Sequence, residues 1–521
     1  MGTATDRLRY ALKAYFSVPG TGGFSAYRTG SSMHMMFSVF VAGGVQWVAS
    51  AWFGLPIPTS AGLGALAVAL LWGVGVFVGV ASHYGGCITL VMLGGLIASA
   101  ALAMDRMLAG FVAGAAAHVV CRAVFSRIGG PSSGDYAAHA LAGAEDSRVE
   151  MSGIGLAEVP TTLREHTRVK SLSLAHNRLT GLPEWFSSLE GLEELDMAGN
   201  DLAGLPEVVC TLTHLRKLIL HFNRGMEALP PCIGNLAALE TLKASNCALS
   251  TIPGEIGQIR SLKKLDLLNN RLTALPEGFA QLQGLEELSL RGNPMPALPP
   301  EVCALKNIRT LDLSSMGLSA LPPETGQLSA LEELTLESNK LSDIPAAMAG
   351  MGALRSLDLS RNALVGIPPV LAELRGLREL ALSSNEGLGA LTGIGALTQL
   401  TELDLGFCGL AELPEELFDL TGLLVLRLHY NKLTQIPAGI GRLKNLRTLE
   451  LSNNAIVSIP DELGGLQALQ DIDLSHNQLA SLPASMGGLG ALRLCRLRDN
   501  AFDRKTLKGI KKMMKGHELW L

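Results

Sequence analysis

Residues 262–284 have the sequence LKKLDLLNNRLTALPEGFAQLQG, and residues 354–376 repeat its pattern as LRSLDLSRNALVGIPPVLAELRG. A third clear copy, LQDIDLSHNQLASLPASMGGLG, begins at Leu469. The shared pattern is LxxLxLxxNxLxxLPxxxxxL, and it recurs over about 350 residues. A period in the twenties that is sustained over this length predicts a stack of similar coils rather than one globular core.

One position of the pattern, usually asparagine, can be followed along the chain as a ladder. Its fifteen members are 23 residues apart, except for one step of 24 residues where the segment at Gly225 carries an extra residue. A degenerate copy beginning at Arg148 precedes them and has Ile154 at the ladder position. The fifteen members are Asn177, Asn200, Asn223, Cys247, Asn270, Asn293, Met316, Asn339, Asn362, Asn385, Cys408, Asn431, Asn454, Asn477 and Asn500.

Each copy predicts a short strand that is followed by a sharp turn. The two leucines of LxL point inward from the strand, while the residues beside them face outward. Backbone groups in the turn lose their strand partners, and a buried asparagine, with both donor and acceptor, satisfies them and links neighbouring coils. Cysteine is a weaker donor and methionine cannot replace asparagine, so we expect a softer rung at Met316. The proline of the LP step fixes φ where the chain starts its return across the convex side.

The repeats resemble the intracellular leucine-rich repeat group that includes Ras-pathway scaffolds and plant Ras-group repeat proteins. The likeness is carried by the LPxxIGxLxxL wording, as at Ile256 with Gly257 and at Ile440 with Gly441. The resemblance implies an α/β solenoid, a horseshoe of 15–16 repeats, over residues 148–500. It also implies protein–protein scaffolding, often around small GTPases or phosphatases.

The segment after the repeats, residues 501–521, predicts one helix that caps the exposed core of the last coil. Asp503 is its expected N-cap, and Leu507, Ile510 and Met514 fall on one face.

The chain before the repeats has a different composition. The mean hydropathy of +0.30 is high for a chain of ordinary repeats, and the excess lies before residue 130. Residues 1–33 form a polar, basic tail, residues 34–126 are mostly apolar, and residues 127–147 form a turn-rich linker. The net charge of −5 gives no bias towards nucleic acid.

The apolar region predicts an all-α transmembrane helical bundle. Its apolar runs at residues 35–55, 61–81, 88–104 and 107–125 are each long enough to be candidate spans. Two topologies remain open. Four full spans would return the chain to its starting side, whereas three spans and a re-entrant half-helix at residues 87–96 would leave it on the opposite side.

Residues 73–95, GVGVFVGVASHYGGCITLVMLGG, and residues 102–120, LAMDRMLAGFVAGAAAHVV, resemble the first half of an aquaporin, of the major intrinsic protein family. In that family a histidine lies two residues before an Asn-Pro-Ala tripeptide. Here His83 has that place, and Gly85, Gly86 and Cys87 replace the tripeptide. The resemblance makes these four residues pore-lining candidates, and the alternative is a tight turn between two apolar helices. The second inverted repeat is absent, and a single repeat cannot enclose a pore.

No enzyme signature is visible in the chain. There is no phosphate-binding loop, no HExxH, no GxSxG and no zinc-type spacing of cysteine and histidine, so we expect no enzyme activity, cofactor or metal. The eight cysteines form no cluster beside the repeats and there is no N-x-S/T sequon, which favours a reducing compartment. We therefore predict a multi-pass integral membrane protein with cytosolic repeats. A homo-oligomer through the transmembrane helices is an open alternative to a monomer.

The column four residues before each ladder position is acidic in seven copies. A line of carboxylates on the concave face would steer a basic partner. The alternative is that LDLS is simply the consensus sequence of the repeat and that these carboxylates bind no partner. The acidic members are Asp196, Asp266, Asp312, Asp358, Asp404, Glu450 and Asp473.

Bulky side chains replace the usual residues of the repeat pattern at two places. His221 and Phe222 lie in the third coil, and the eleventh and twelfth coils carry Phe407, Arg427, His429 and Tyr430. Aromatic and arginine side chains on adjacent strands are typical of binding hot spots. We expect these six residues, with Asp358 and Asp404, to contact a protein partner. The alternative is that residues just before the ladder tuck under the turn.

The sequence as a whole predicts a membrane-anchored scaffold that binds a protein partner on its concave face in intracellular signalling. One alternative is a degenerate aquaporin-like pore subunit that its repeats regulate. Another is a luminal or extracellular receptor.

Overall fold

The computed structural model describes residues 147–389 and 391–521. The predicted basic tail, the aquaporin-like region with His83, Gly85, Gly86 and Cys87, and the linker up to residue 146 lie outside the described residues. Among the described residues, no helix combines the length and the apolar character needed to cross a membrane.

A single parallel sheet of 17 short strands runs through the described residues. Each strand has three residues and pairs in the register of one repeat, so that Leu265 lies beside Leu288. The middle leucine is buried, and the second leucine of LxL, such as Leu267, follows the strand directly and is also buried. The predicted alternation is confirmed. The strands are β1 Arg148–Glu150, β2 Ser171–Ser173, β3 Glu194–Asp196, β4 Lys217–Ile219, β5 Thr241–Lys243, β6 Lys264–Asp266, β7 Glu287–Ser289, β8 Thr310–Asp312, β9 Glu333–Thr335, β10 Ser356–Asp358, β11 Glu379–Ala381, β12 Glu402–Asp404, β13 Val425–Arg427, β14 Thr448–Glu450, β15 Asp471–Asp473, β16 Leu494–Arg496 and β17 Glu518–Trp520.

Short helices carry the chain back across the convex side. The proline of the LP step lies immediately before most of them, with φ near −70°, as at Pro276 with φ −73°. The predicted role of this proline is confirmed. The 3₁₀ helices are Thr161–Glu165, Glu184–Ser188, Glu207–Thr211, Pro231–Asn235, Gly254–Gln258, Glu277–Gln281, Pro323–Gln327, Ala346–Gly350, Pro369–Glu373, Ile394–Ala396, Glu415–Asp419, Ala438–Arg442, Asp461–Gly465 and Ala484–Gly488, and α1 is Pro300–Cys303.

Neighbouring convex helices pack in a fixed register, in which the fourth residue of one helix faces the second residue of the next. A Cβ at Gly257 would overlap the carbonyl oxygen of Gly278, so glycine is required where the backbones approach this closely. Where the fourth residue is large, as at Phe418, the facing second residue is Gly439. Side-chain volume is thus matched between coils.

The asparagine ladder forms the predicted links. The Asn270 side chain donates to the carbonyl oxygens of Ala244 and Leu267, each at 2.8 Å. Its Oδ1 accepts from the Leu249 N–H at 3.1 Å. One amide therefore satisfies three backbone groups and joins two coils, which confirms the predicted role of the buried asparagines.

The cysteine rung at Cys247 is accommodated in the coil that precedes it. The thiol of Cys247 donates to the Leu220 carbonyl at 3.4 Å but contributes no carbonyl-like acceptor. In the preceding coil the Met226 N–H instead donates to the Asn223 carbonyl at 3.0 Å. The extra residue in that coil therefore forms a turn that satisfies the donor locally.

At the other two rungs without asparagine, the preceding coil also satisfies its donor within its own backbone. The coil before Cys408 has a turn in which the Leu388 N–H donates to the Asn385 carbonyl at 3.0 Å. In the coil before Met316, the Met295 N–H donates to the Asn293 carbonyl at 2.8 Å and closes a similar local turn. A softer rung at Met316 stays a prediction, although this local bond compensates for part of what the methionine lacks.

The C-terminal segment begins as expected and ends differently. Helix α2, Arg504–Met513, has Asp503 as its N-cap, since the Asp503 carboxylate accepts from the Thr506 N–H at 2.6 Å. This hydrogen bond lowers the pKa of Asp503. The prediction of one helix to the end of the segment is wrong for its last residues, because Gly516 turns the chain at φ +108° and β17 then pairs with β16. Pairing with β16 satisfies backbone groups that the last repeat strand would otherwise leave unpaired.

Candidate protein-binding face

The partner residues expected from the sequence all lie at outward positions of the strands or of the turns that follow them. Asp358, Asp404 and Arg427 are the last residues of their strands. His221 and His429 lie two residues after the end of their strands. Phe222, Phe407 and Tyr430 directly precede the ladder residue. The structure brings Phe407, Arg427, His429 and Tyr430 together on adjacent coils. It places His221 with Phe222, in the third coil, and Asp358, in the ninth, on other coils.

The residue before the ladder adopts a left-handed conformation, with φ 60° at Phe222, 56° at Phe407 and 53° at Tyr430. This conformation is costly for bulky residues, and in most other coils the position is Ser, Asn, Gly or another polar residue. The three aromatic residues are 43–49% exposed, so the alternative that they tuck under the turn is wrong here. Exposed aromatic groups at strained positions favour a functional role over a packing role.

Phe407, His429 and Tyr430 form what we call the aromatic cluster. The rings of Phe407 and Tyr430 stack with centroids 4.2 Å apart and planes 9° from parallel. The His429 ring meets Phe407 edge-on, at 5.5 Å and 88°. It lies over Gly406, whose lack of a Cβ leaves the space for it. The two half-exposed rings thus form a stacked apolar pair, which we call the platform, and the His429 ring lies edge-on to both of them.

Arg427 is held beside the aromatic cluster by carboxylates on both neighbouring strands. Its guanidinium lies 3.7 Å from Glu402 and 3.5 Å from Glu450. Glu450 is also 3.6 Å from Nδ1 of His429. Ion pairs with this exposure contribute about 0–1 kcal/mol each, so they position the guanidinium more than they stabilise the fold.

The acidic column has a local structural role. The Asp404 carboxylate accepts from the Gly406 N–H at 2.9 Å, and Asp358 accepts from the Ser360 N–H at 2.8 Å. The same bond to the residue two positions later is formed by Asp196, Asp266, Asp312 and Asp473. These bonds give a physical reason for the recurrence of LDLS, and the contact of Asp358 and Asp404 with a partner stays a prediction.

His221 and Phe222 form a second, separate cluster. The Ser245 N–H donates to Nδ1 of His221 at 3.1 Å, so Nδ1 is unprotonated and the neutral ring carries its proton on Nε2. Burial lowers the pKa of His221, and Asp266, 3.9 Å from Nε2, only partly opposes that effect. His221 therefore supports the backbone in its neutral form.

A disulfide that was not predicted from the sequence joins Cys210 and Cys232. These residues lie at the fourth and second positions of neighbouring convex helices, with Cα atoms 5.7 Å apart. The facing register of the helices was the signal that would have paired them. Disulfides persist mainly in oxidising compartments, so this bond weighs against the reducing compartment that we expected from the absence of a cysteine cluster and of sequons.

The remaining thiols of the described chain are Cys247, Cys303, Cys408 and Cys495, and none is exposed. Burial raises the pKa to about 11 for Cys247 and Cys408 and to about 12 for Cys495, which makes them poor nucleophiles. Within residues 147–389 and 391–521, no three His, Cys, Asp or Glu side chains converge to hold a metal ion.

The Leucine rich repeat family model matches residues 167–224, 237–295, 306–364, 398–456 and 444–502. These matches cover more than half of the chain, and all of them lie after residue 166. They do not extend to the region that resembles an aquaporin. No curated protein matches the chain.

Several solved structures are similar to the repeat region. A leucine-rich repeat protein of Leptospira interrogans is 33% identical, with a TM-score of 0.69, over 74% of this chain and 98% of its own. A TDR receptor is 28% identical, with a TM-score of 0.52, over 68% of each chain. The Toll–Spatzle complex of Drosophila is 22% identical, with a TM-score of 0.53, over 70% of this chain and 52% of that one, which shows the shared fold alone.

Proposed function

Because the chain belongs to the leucine-rich repeat family, whose domains are protein-interaction modules, we propose that it is a membrane-anchored scaffold that binds a protein partner through the aromatic cluster. The observation that carries this proposal is the stacked, half-exposed pair of Phe407 and Tyr430 at strained backbone positions. A packing role would bury these rings, whereas they cover no part of the core.

The composition of the surface supports a hot spot. Tyrosine and arginine are enriched among residues that dominate binding energy, and such residues cluster at the centre of an interface. Arg427 and Tyr430 lie three residues apart on one coil, and Phe407 is on the coil before. A partner that covered the platform would desolvate both rings and the flanking ion pairs together.

The membrane anchor and the signalling role are the further parts of the proposal. The apolar runs of residues 34–126 are long enough for several spans. The Ras-group wording of the repeats favours a small GTPase or a phosphatase as partner. With the four-span topology, the basic tail and the repeats both lie in the cytosol.

Site-directed photocrosslinking on the full-length chain tests the binding site. A benzoylphenylalanine at Phe407 is compared with one at Val365, which is 74% exposed and lies outside the strand columns. We expect a defined crosslinked protein from position 407 alone, and its loss when Tyr430→Ala is added. Equal crosslinking from both positions, or none from position 407, contradicts the proposal.

A second candidate function, a luminal or extracellular receptor, is favoured by the Cys210–Cys232 disulfide. An oxidising compartment would maintain that bond. Protease protection of sealed vesicles with a tag after Leu521 separates the two candidates. A digested tag on the cytosolic side supports the intracellular scaffold, and a protected tag supports the receptor.

A further inference from the structure

We propose that the segment bound at the aromatic cluster is cationic, with an arginine side chain stacked on an outer face of the Phe407–Tyr430 pair. This inference rests on the proposed function and names the chemistry of the partner. A flat guanidinium stacks on aromatic rings and is more weakly hydrated than an ammonium, so arginine suits this platform better than lysine.

The charges around the platform favour a cation. Strands β12 to β15 have eight outward positions, of which five are carboxylates and one is a cation. The five carboxylates are Glu402, Asp404, Glu450, Asp471 and Asp473. Closely spaced carboxylates beside a low-dielectric apolar surface concentrate negative potential there.

The cations near the platform are already paired or lie beyond it. Arg427, the one cation among those eight positions, has a carboxylate on each side, at 3.7 and 3.5 Å. Arg361, two coils earlier than Phe407, lies 3.6 Å from Glu337. Lys432 follows the ladder residue, past the turn that carries Tyr430. The carboxylates on the outward face of these coils therefore outnumber the cations, and the face has a net negative charge.

The second cluster has the opposite surroundings, which makes it a matched control. Phe222 also follows a histidine, is 48% exposed and has a left-handed φ. The six outward positions of β4 to β6 include Lys217, Lys243 and Lys264 but only one carboxylate, Asp266. A cationic segment attracted to an exposed aromatic ring should therefore bind near Tyr430 and not near Phe222.

Fluorescence anisotropy with labelled hexa-arginine, hexa-lysine and hexa-glutamate peptides on the full-length chain tests the inference. We expect hexa-arginine to bind more tightly than hexa-lysine and hexa-glutamate not to bind. Tyr430→Leu keeps apolar bulk but removes the aromatic face, and it should weaken hexa-arginine binding by about 3–30-fold. Phe222→Leu should change it less than about 2-fold. Circular dichroism of each variant verifies the fold, and Phe407→Leu serves as a second variant if Tyr430→Leu misfolds.

Two outcomes overturn the inference. Equal binding of hexa-arginine and hexa-lysine that Tyr430→Leu and Phe407→Leu leave unchanged would mean diffuse electrostatic attraction. Tighter binding of hexa-glutamate would mean that Arg427 recruits an acidic partner instead. Either result leaves the proposed function standing if position 407 still crosslinks to a defined protein, whereas failure of that crosslink removes the proposed function itself.

Discussion

The imidazole ring of His429 lies over Gly406, so close that a Cβ at residue 406 would be 2.6 Å from Cε1 and Nε2 of the ring. The place of His429 in the aromatic cluster thus depends on a missing side chain in the coil before its own. The relationship joins two neighbouring coils, the one that carries Phe407 and the one that carries Tyr430.

Gly406→Ala should displace His429 and with it the edge-on contact to Phe407. Overpacking of this kind costs about 1–3 kcal/mol, which urea denaturation followed by far-ultraviolet circular dichroism will measure. Gly366→Ala is the control, because a Cβ there meets nothing within 4 Å. Equal stability of the two variants would show that the His429 ring moves freely.

Asn270→Ala should destabilise the solenoid more than Cys247→Ala. The first change leaves the buried Ala244 carbonyl and the Leu249 N–H without partners, for about 2–4 kcal/mol. The Leu267 carbonyl keeps its hydrogen bond from the Asn293 side chain at 2.9 Å. The second change removes only a weak thiol donor. The N–H that an asparagine at this rung would satisfy, that of Met226 in the preceding coil, already donates to the Asn223 carbonyl. The same denaturation measurement compares the two variants, and a larger loss of stability for Cys247→Ala would contradict the compensation by the Met226 N–H bond.

Reduction of the Cys210–Cys232 bond should lower the thermal midpoint of the repeats. A loop closed over 22 residues restricts the unfolded chain by about 3 kcal/mol in the chain-entropy account. Calorimetry with and without dithiothreitol gives the shift. The double variant Cys210→Ser with Cys232→Ser should have the midpoint of the reduced parent chain, both with and without dithiothreitol. A remaining response to dithiothreitol in that variant would place the effect elsewhere.

The stability of the repeats should fall on acidification, partly through His221. Burial lowers its pKa in the folded state, so the unfolded chain binds the proton more tightly. The stabilisation is therefore complete above the ordinary histidine pKa of about 6.5 and is lost as pH falls through that value towards the folded pKa. Protonation of Nδ1 would also remove the acceptor of the Ser245 N–H.

His221→Gln tests this pH dependence. We expect the difference between urea midpoints at about pH 7.5 and about pH 5 to be smaller in the variant than in the parent chain. His476→Gln, at an exposed histidine, is the control. An unchanged difference in His221→Gln would assign the acid sensitivity to other groups.

Much of the solenoid was predictable because each coil is a local copy of one pattern. The spacing of the leucines placed the buried positions, the ladder asparagines had an evident backbone role, and Asp503 was recognisable as an N-cap. The candidate residues Phe407, Arg427, His429 and Tyr430 were visible as interruptions of that pattern. Their one-repeat spacing was enough to place them on adjacent coils.

The sequence by itself therefore determined the architecture, the register of the strands and which residues lie on the concave face, since a 23-residue period sets the position of every residue within its coil. Only the tertiary structure decided what happens between coils. Four features depend on side-chain rotamers and on how closely adjacent backbones approach. They are the stacking of Phe407 on Tyr430, the packing of His429 over Gly406, the Cys210–Cys232 disulfide and the final strand Glu518–Trp520. A periodic pattern specifies directions but not these distances, because close packing is settled by the volumes of particular neighbours.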